Sequence, residues 1–94
     1  MSTAAANLTP VTLELGGKSP AVVTRNYPLG DAALRITHGK ISNCGQICVA
    51  PDYALVPREN VAAFITGVRS SYANLCGDSK SGGQSTWVVN DRHF

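Results

Sequence analysis

The amino-acid sequence predicts an α/β fold, in which a partial parallel sheet is flanked by helices. Short runs rich in β-branched residues alternate with helical stretches, which is the order that builds parallel sheets. The chain has only 94 residues, so it forms one domain at most. Parallel sheets are normally covered on both faces and bordered by further strands. This chain has too few elements to supply both, and we expect it to be a slice of a larger sheet.

The first part of the chain predicts the end of a helix followed by strands. Residues 1–7 contain three alanines and then an asparagine, which is typical of a last helical turn and its cap. Residues 11–15 alternate apolar and polar side chains, which predicts a strand with Glu14 on the polar face. Two glycines then break that strand, and residues 21–24 form a second β-prone run. We therefore expect Glu14 near a strand end, where other groups can approach it.

The second part predicts two helices separated by a loop and a strand. Asp31 is expected to cap a helix that runs to about His38 and is ended by Gly39. Residues 53–56 indicate a strand, and residues 58–76 indicate the best helix of the chain. An apolar stripe on that helix comprises Val61, Phe64, Ile65, Val68, Tyr72 and Leu75.

Charge and composition exclude several classes of partner. The formal net charge is only +2 and the basic residues form no run, so neither nucleic acid nor an anionic membrane is expected. No apolar segment is long enough to span a membrane, and no secretory signal is found. Three cysteines, an odd number, predict free thiols in a reduced, cytoplasmic chain. Residues 77–85, rich in Gly and Ser, are the nearest approach to a linker.

A glycine loop at residues 17–19, Gly-Lys-Ser, is similar to the end of a phosphate-binding loop. That motif requires a glycine where this chain has Thr12, and Pro20 stands where its helix should begin. We therefore interpret the segment as a tight turn after a strand rather than as a nucleotide site.

A metal site could in principle use His38, Cys44, Cys48 and Cys76. Their spacing contains no paired Cys-x-x-Cys, and the four residues fall on different predicted elements. We predict no metal site, and we interpret Cys44 and Cys76 as structural residues.

Glu14 and Cys48 remain as candidate catalytic residues. Cys48 lies in the loop of residues 43–52, between a polar, glycine-containing approach and a short apolar run closed by a proline. A thiolate can attack a carbonyl carbon, and a carboxylate can later activate the water that releases the product. The alternatives are a buried structural thiol and a carboxylate that only forms a salt bridge.

Two stretches resemble the signature motifs of the aldehyde dehydrogenase superfamily. Residues 11–20, Val-Thr-Leu-Glu-Leu-Gly-Gly-Lys-Ser-Pro, resemble its glutamate signature, the strand and turn that carry the base. Residues 45–53, Gly-Gln-Ile-Cys-Val-Ala-Pro-Asp-Tyr, resemble its cysteine signature. The interval between Glu14 and Cys48 also agrees with that family, and the resemblance extends to the closing residues 90–94. The sequence around the cysteine is most similar to the coniferyl-aldehyde and fatty-aldehyde branch.

The resemblance implies a role for each residue of the two motifs. Cys48 would be the nucleophile that adds to a small-molecule aldehyde, and its backbone amide would stabilise the oxyanion. Glu14 would be the general base that activates the hydrolytic water. Leu15 and Gly16 would lie beside the nicotinamide of NAD or NADP, and the product would be a carboxylic acid. Lys18 could add a positive field near the thiol, or it could be a solvated turn lysine.

The resemblance also implies that residues 1–94 are a partial catalytic domain. The family's dinucleotide-binding region and the side-chain amide of its oxyanion hole lie upstream of these motifs, and its oligomerisation strand lies downstream. We expect negligible dehydrogenase activity from the chain alone. One alternative is a non-catalytic remnant or interaction chain, which would bind the remainder of the enzyme or self-associate through exposed sheet edges. The other is a residual thiol esterase activity.

Overall fold

The computed structural model describes residues 1–77 and 87–93, and it confirms an α/β arrangement. The regular elements are helix α1 (Ser2–Ala6), strand β1 (Ser19–Val22), helix α2 (Leu29–Ile41), strand β2 (Pro51–Leu55) and helix α3 (Val61–Cys76). Short 3-10 helices occupy Ser42–Gly45, Arg58–Asn60 and Asp91–His93. The predicted linker lies outside the described residues from residue 78 onwards.

The two strands form a parallel pair, as the alternation of strands and helices predicted. Ser19 lies opposite Pro51, and the next residue, Pro20, lies opposite Tyr53. The register therefore shifts by one residue, so Asp52 is the extra residue of a bulge. Helix α2 is the connection between the strands, and the segment before each strand approaches the same edge of the sheet.

The strand predicted over residues 11–15 is wrong. Residues 11–18 have no regular structure, and the strand begins only at Ser19. A strand needs a hydrogen-bonded neighbour, and among the described residues β2 pairs with the chain only from Ser19 onwards. The apolar side chains that the alternation placed on one face are instead exposed, Val11 by 51% and Leu13 by 48%. Glu14 therefore lies in a loop.

The ends of α2 differ from the predicted ones. The helix begins at Leu29 after Pro28, and Asp31 lies within its first turn without capping it. A carboxylate there still interacts favourably with the helix dipole. Gly39 does not end the helix, which continues to Ile41. A Cβ at Gly39 would lie 3.3 Å from Cδ of Pro51, so the glycine lets α2 approach the start of β2 closely.

Helices α2 and α3 pack against each other and form the core with the ends of the strands. The buried cluster consists of Val23, Ala32, Ala33 and Phe64, with Leu29, Ile36, Ala54, Val56 and Val68 partly buried against it. The predicted stripe of α3 is covered only in part, because Ile65 and Tyr72 remain about half exposed. On the sheet, Val22 and Leu55 are also largely exposed. The described residues thus leave apolar surface uncovered on both layers.

Replacement of Gly67 by alanine is expected to destabilise the protein. A Cβ at Gly67 would lie 2.9 Å from the Cβ of Ala33, which is fully buried on α2. The steric cost of such overpacking is about 1–3 kcal/mol and outweighs the gain in helix propensity of about 1 kcal/mol. Chemical denaturation measures the change. Gly30→Ala is the control, because a Cβ there meets nothing within 4 Å. A Gly67→Ala chain as stable as the wild type would contradict this packing.

Acid is expected to weaken the fold through Glu59. Its own backbone N–H and the Arg25 guanidinium, whose Nε lies 2.8 Å from Oε1, hold the pKa of the Glu59 carboxyl below its ordinary value of 4.5. The stabilisation is complete above that ordinary pKa and is lost as the pH falls through the lower pKa of the folded state.

We expect Glu59→Gln to flatten the dependence of the free energy of unfolding on pH in the acidic range. Arg25→Gln removes only the second contribution and should flatten it less. Denaturant titrations at a series of acidic pH values measure both. An acidic slope that is the same in all three proteins would show that Glu59 does not contribute.

Candidate active site

The loop before Cys48 has an unusual backbone. Asn43, Cys44 and Gly45 are consecutive residues with φ of 50°, 59° and 76°. Glycine adopts this left-handed conformation freely and asparagine tolerates it, whereas for cysteine it costs about 1–2 kcal/mol. The predicted cysteine-motif loop over residues 43–52 is therefore a left-handed turn that leads into β2, which already begins at Pro51.

Cys48 lies at the corner of a second turn. The N–H of Ala50 donates to the carbonyl of Ile47 at 2.9 Å, so Cys48 and Val49 are the central residues of the turn. Ala50 is buried and anchors the turn, whereas the two central residues are exposed. The interpretation of Cys48 as a buried structural thiol is therefore wrong. Its thiol is accessible to a small molecule.

Glu14 lies in the open segment before β1. Glu14, Leu15 and Gly16 are all exposed, and Leu15 is exposed by 87%. Gly16 has a φ of 131°, which side-chain-bearing residues rarely adopt, and a Cβ there would meet nothing within 4 Å. Among the described residues, no hydrogen bond or ion pair involves the Glu14 carboxylate, so both of its oxygens can accept a proton or a hydrogen bond.

Two contacts connect the glutamate motif with the cysteine motif. Nζ of Lys18 lies 3.2 Å from Oδ2 of Asp52, the extra residue of the bulge. Oγ of Ser19 donates to the carbonyl of Cys48 at 3.4 Å. The ion pair is exposed and contributes about 0–1 kcal/mol, so the main connection is the strand pairing that follows it. Lys18 thus forms an ion pair with Asp52 that the sequence did not predict.

The structure brings the two motif segments together through the pairing of β1 with β2. Within residues 1–77 and 87–93, no hydrogen bond joins Glu14 to Cys48. The shared element is the sheet edge, because Cys48 lies three residues before β2 and Glu14 five residues before β1.

The other cysteines are also free thiols. Cys44 is exposed and Cys76, the last residue of α3, is partly buried. Among the described residues, no group of three or more His, Cys, Asp or Glu side chains could hold a metal ion. In the same part of the chain, the helices are too short or too polar to cross a membrane.

Sequence analysis missed Gln46. Its Nε2 donates to the carbonyls of Asn43 and Trp87 at 2.9 and 3.1 Å, and its Oε1 accepts the N–H of Val89 at 2.8 Å. No sequence pattern indicates the bonds to Trp87 and Val89, because these residues lie 41 and 43 positions from Gln46. The left-handed turn did have a signal, since Asn and Gly are the residues that tolerate positive φ.

Comparison with known proteins identifies the chain's relatives. Residues 1–93 match the aldehyde dehydrogenase family. The chain is 46% identical over 94 residues to a probable coniferyl aldehyde dehydrogenase of Caulobacter vibrioides, covering 100% of this chain and 19% of that protein. It is 44% identical over 95 residues to a dimeric NADP-preferring aldehyde dehydrogenase of Rattus norvegicus, covering 100% of this chain and 21% of that protein.

A solved structure extends the likeness to three dimensions. The substrate-bound state of Staphylococcus aureus AldH matches with a TM-score of 0.83 and 38% identity, over 95% of this chain and 20% of that chain. The chain belongs to the aldehyde dehydrogenase family, and the resemblance of its two motifs is confirmed. It spans about a fifth of the length of the curated relatives it matches.

The left-handed conformation of Cys44 leads to a stability prediction. Cys44→Gly is expected to raise the free energy of unfolding by up to about 1 kcal/mol, because glycine adopts a φ of 59° without a steric penalty. Cys44→Val should lower it, since a branched Cβ fits this conformation worst. Cys44→Ala keeps a Cβ and serves as the control. Equal stabilities of the glycine and alanine variants in urea titrations would refute the left-handed assignment.

Proposed function

We propose that this chain carries the nucleophile and the general base for oxidation of an aldehyde to a carboxylic acid with NAD or NADP. The observation that carries the proposal is the exposed thiol of Cys48 at the corner of its turn, on the sheet edge that the glutamate motif also approaches. Membership of the aldehyde dehydrogenase family supports the same reaction class.

The first step is the attack of the Cys48 thiolate on the aldehyde carbon. A C–S bond forms, the carbonyl π bond breaks, and its electron pair becomes an alkoxide on oxygen. Within the described residues, the backbone N–H of Cys48 donates no hydrogen bond, so it is available to stabilise that alkoxide. Preorganised donors of this kind are typically worth about 3 kcal/mol of transition-state stabilisation.

The residues of the glutamate motif are compatible with a nicotinamide cofactor. A flat ring requires an approach that no side chain blocks, and Gly16 offers backbone without a Cβ beside open space. Leu15 would present its exposed side chain and backbone to the same region. A bound NAD or NADP would supply the hydride acceptor for the substrate carbon, and Cys48 would then hold the oxidised acyl group as a thioester.

The second step for this chain is hydrolysis of that thioester. The Glu14 carboxylate takes a proton from water, the resulting hydroxide adds to the acyl carbon, and the C–S bond breaks to release the acid and the Cys48 thiolate. The Glu14 carboxylate has no salt-bridge partner among the described residues, which supports this role because both of its oxygens can bind the water molecule.

The names of the relatives guide the choice of substrate and cofactor. We propose aromatic aldehydes of the coniferyl type as the first substrates to test, because of the similarity to the Caulobacter vibrioides protein. Long-chain aliphatic aldehydes are the alternative class. The rat relative is described as NADP-preferring, and we therefore propose parallel assays with NAD and NADP.

We further propose that residues 1–94 act together with further polypeptide. The exposed apolar surface of α3 and of the two strands supports packing against the remainder of an enzyme or against a second copy of the chain. The chain alone should then give negligible NADH or NADPH with any aldehyde. Size-exclusion chromatography distinguishes the two partners, because a self-associating chain elutes as an oligomer by itself.

An activated ester tests the two catalytic residues without a cofactor. We expect p-nitrophenyl acetate to acylate Cys48 in a burst of one acetyl group per chain, detected by peptide mass spectrometry, followed by slower hydrolysis. Glu14→Gln should leave acylation intact and slow deacylation by about a hundredfold, the usual contribution of a general base. Cys48→Ser should abolish labelling at residue 48.

Cys76→Ser is the control, because Cys76 is the last residue of α3 and belongs to neither motif. A Cys48→Ser chain that hydrolyses the ester as fast as the wild type would eliminate the proposed nucleophile. That result would favour the alternative interpretation of the chain as a non-catalytic remnant or interaction chain. Strong NADH production by the pure chain would overturn the expectation that it needs further polypeptide.

A further inference from the structure

The side chain of Gln46 connects the cysteine loop with a distant segment of the chain. Both N–H groups of its carboxamide donate, to the carbonyl of Asn43 at 2.9 Å and to that of Trp87 at 3.1 Å. Its oxygen accepts the N–H of Val89 at 2.8 Å. Each of these distances is within the normal range for N–H···O bonds.

The two bonds to the distant segment imitate a strand neighbour. Trp87 contributes its carbonyl and Val89 its N–H, which are the two groups that flank Val88 and that one residue of an adjacent parallel strand would bind. The carboxamide therefore stands where a peptide unit would otherwise pair. Trp87 and Val89 are exposed by 90% and 70%, so burial contributes little to holding the segment and the hydrogen bonds contribute more.

The third bond acts on the cysteine loop itself. The Asn43 carbonyl accepts both the Gln46 backbone N–H at 3.1 Å and the Gln46 side chain, and these bonds close the left-handed turn. Gln46, which lies two positions before Cys48, thus joins that turn to residues 87–89. The direction in which the chain enters the turn of Cys48 depends on both attachments.

We propose that Gln46 is a positioning residue for Cys48, which rests on the proposed role of Cys48 as the nucleophile. Gln46 does not act on the substrate, because its two N–H groups and its oxygen are already bound within the protein. Its contribution is to fix where the thiol and the Cys48 amide stand relative to an incoming carbonyl. Displacement of a reacting group by about 1 Å can lower a rate by about a hundredfold.

Two substitutions at Gln46 test the proposal in the full chain. Gln46→Met keeps the length of the side chain and deletes all three bonds. Gln46→Glu keeps the acceptor for Val89 and faces a carboxylate toward two carbonyl oxygens. We expect both to slow single-turnover acylation of Cys48 by p-nitrophenyl acetate by about ten- to a hundredfold. Asn74→Asp, an exposed amide-to-acid change on α3, is the matched control and should acylate at the wild-type rate.

The pH profile separates positioning from a general loss of structure. A protonated carboxyl at this position regains one O–H donor, so the rate of Gln46→Glu relative to the wild type should rise as the pH falls from about 8 to about 5. The relative rate of Gln46→Met should not change with pH. Labelling of the partly buried Cys76 by iodoacetamide reports whether the variants remain folded.

A second pair of variants changes Val89, the residue whose N–H binds the Gln46 side chain, in case changes at Gln46 prevent folding. Val89→Pro removes the N–H that donates a hydrogen bond to Oε1 of Gln46, and Val89→Ala retains it. We expect only the proline variant to slow acylation of Cys48, by about threefold or more. Wild-type acylation in folded Gln46→Met and Val89→Pro chains would overturn the positioning role. No acylation of Cys48 in the wild type would instead refute the proposed function.

Discussion

The parallel pairing of β1 with β2 is the interaction on which the candidate site depends. It joins two segments that are far apart in the chain, and its register determines which residues of the preceding loops stand near each other. A shift of one residue would turn each side chain of a strand to the opposite face of the sheet. The structure contains one such shift, at Asp52, and the extra residue is the one that pairs with Lys18. The bulge therefore directs the only ion pair between the two motifs among the described residues.

Helices α2 and α3 hold the paired strands in position through close packing. Helix α2 connects the two strands, and the absence of a side chain at Gly39 lets it contact Pro51, the first residue of β2. The same helix packs closely on α3 through Ala33 and Gly67. The cysteine loop leaves α2 at Ile41 and enters β2 at Pro51, so both of its ends belong to the packed part of the molecule. A loop with fixed ends can expose a thiol without losing a defined geometry.

The sequence predicted the parts of the molecule that depend on local patterns. The periodicity of residues 58–76 corresponds to the 3-10 turn and α3, and the cysteine motif lies in a loop before a strand, as expected. The strand at residues 11–15 was wrong because alternation shows only that a segment can be extended, whereas a strand also needs a partner. The predicted helix end at Gly39 was wrong because glycine can end a helix but can also permit close packing within one. These outcomes are set by tertiary contacts, which a local pattern does not contain.

The candidate residues also differ in whether a local pattern or a tertiary contact reveals their role. Cys48 and Glu14 could be chosen from sequence because thiol and carboxylate chemistry belongs to the residue type. Gln46 could not, because a glutamine has no distinctive chemistry and its importance arises only when residues 87–89 come to lie beside it. The left-handed conformation of Cys44 costs about 1–2 kcal/mol, and the side-chain hydrogen bonds of Asn43 and Gln46, worth about 1 kcal/mol each, offset a cost of this size. The geometry around the thiol is therefore maintained by the polar residues next to it, within a loop whose two ends are fixed by the packed helices and strand.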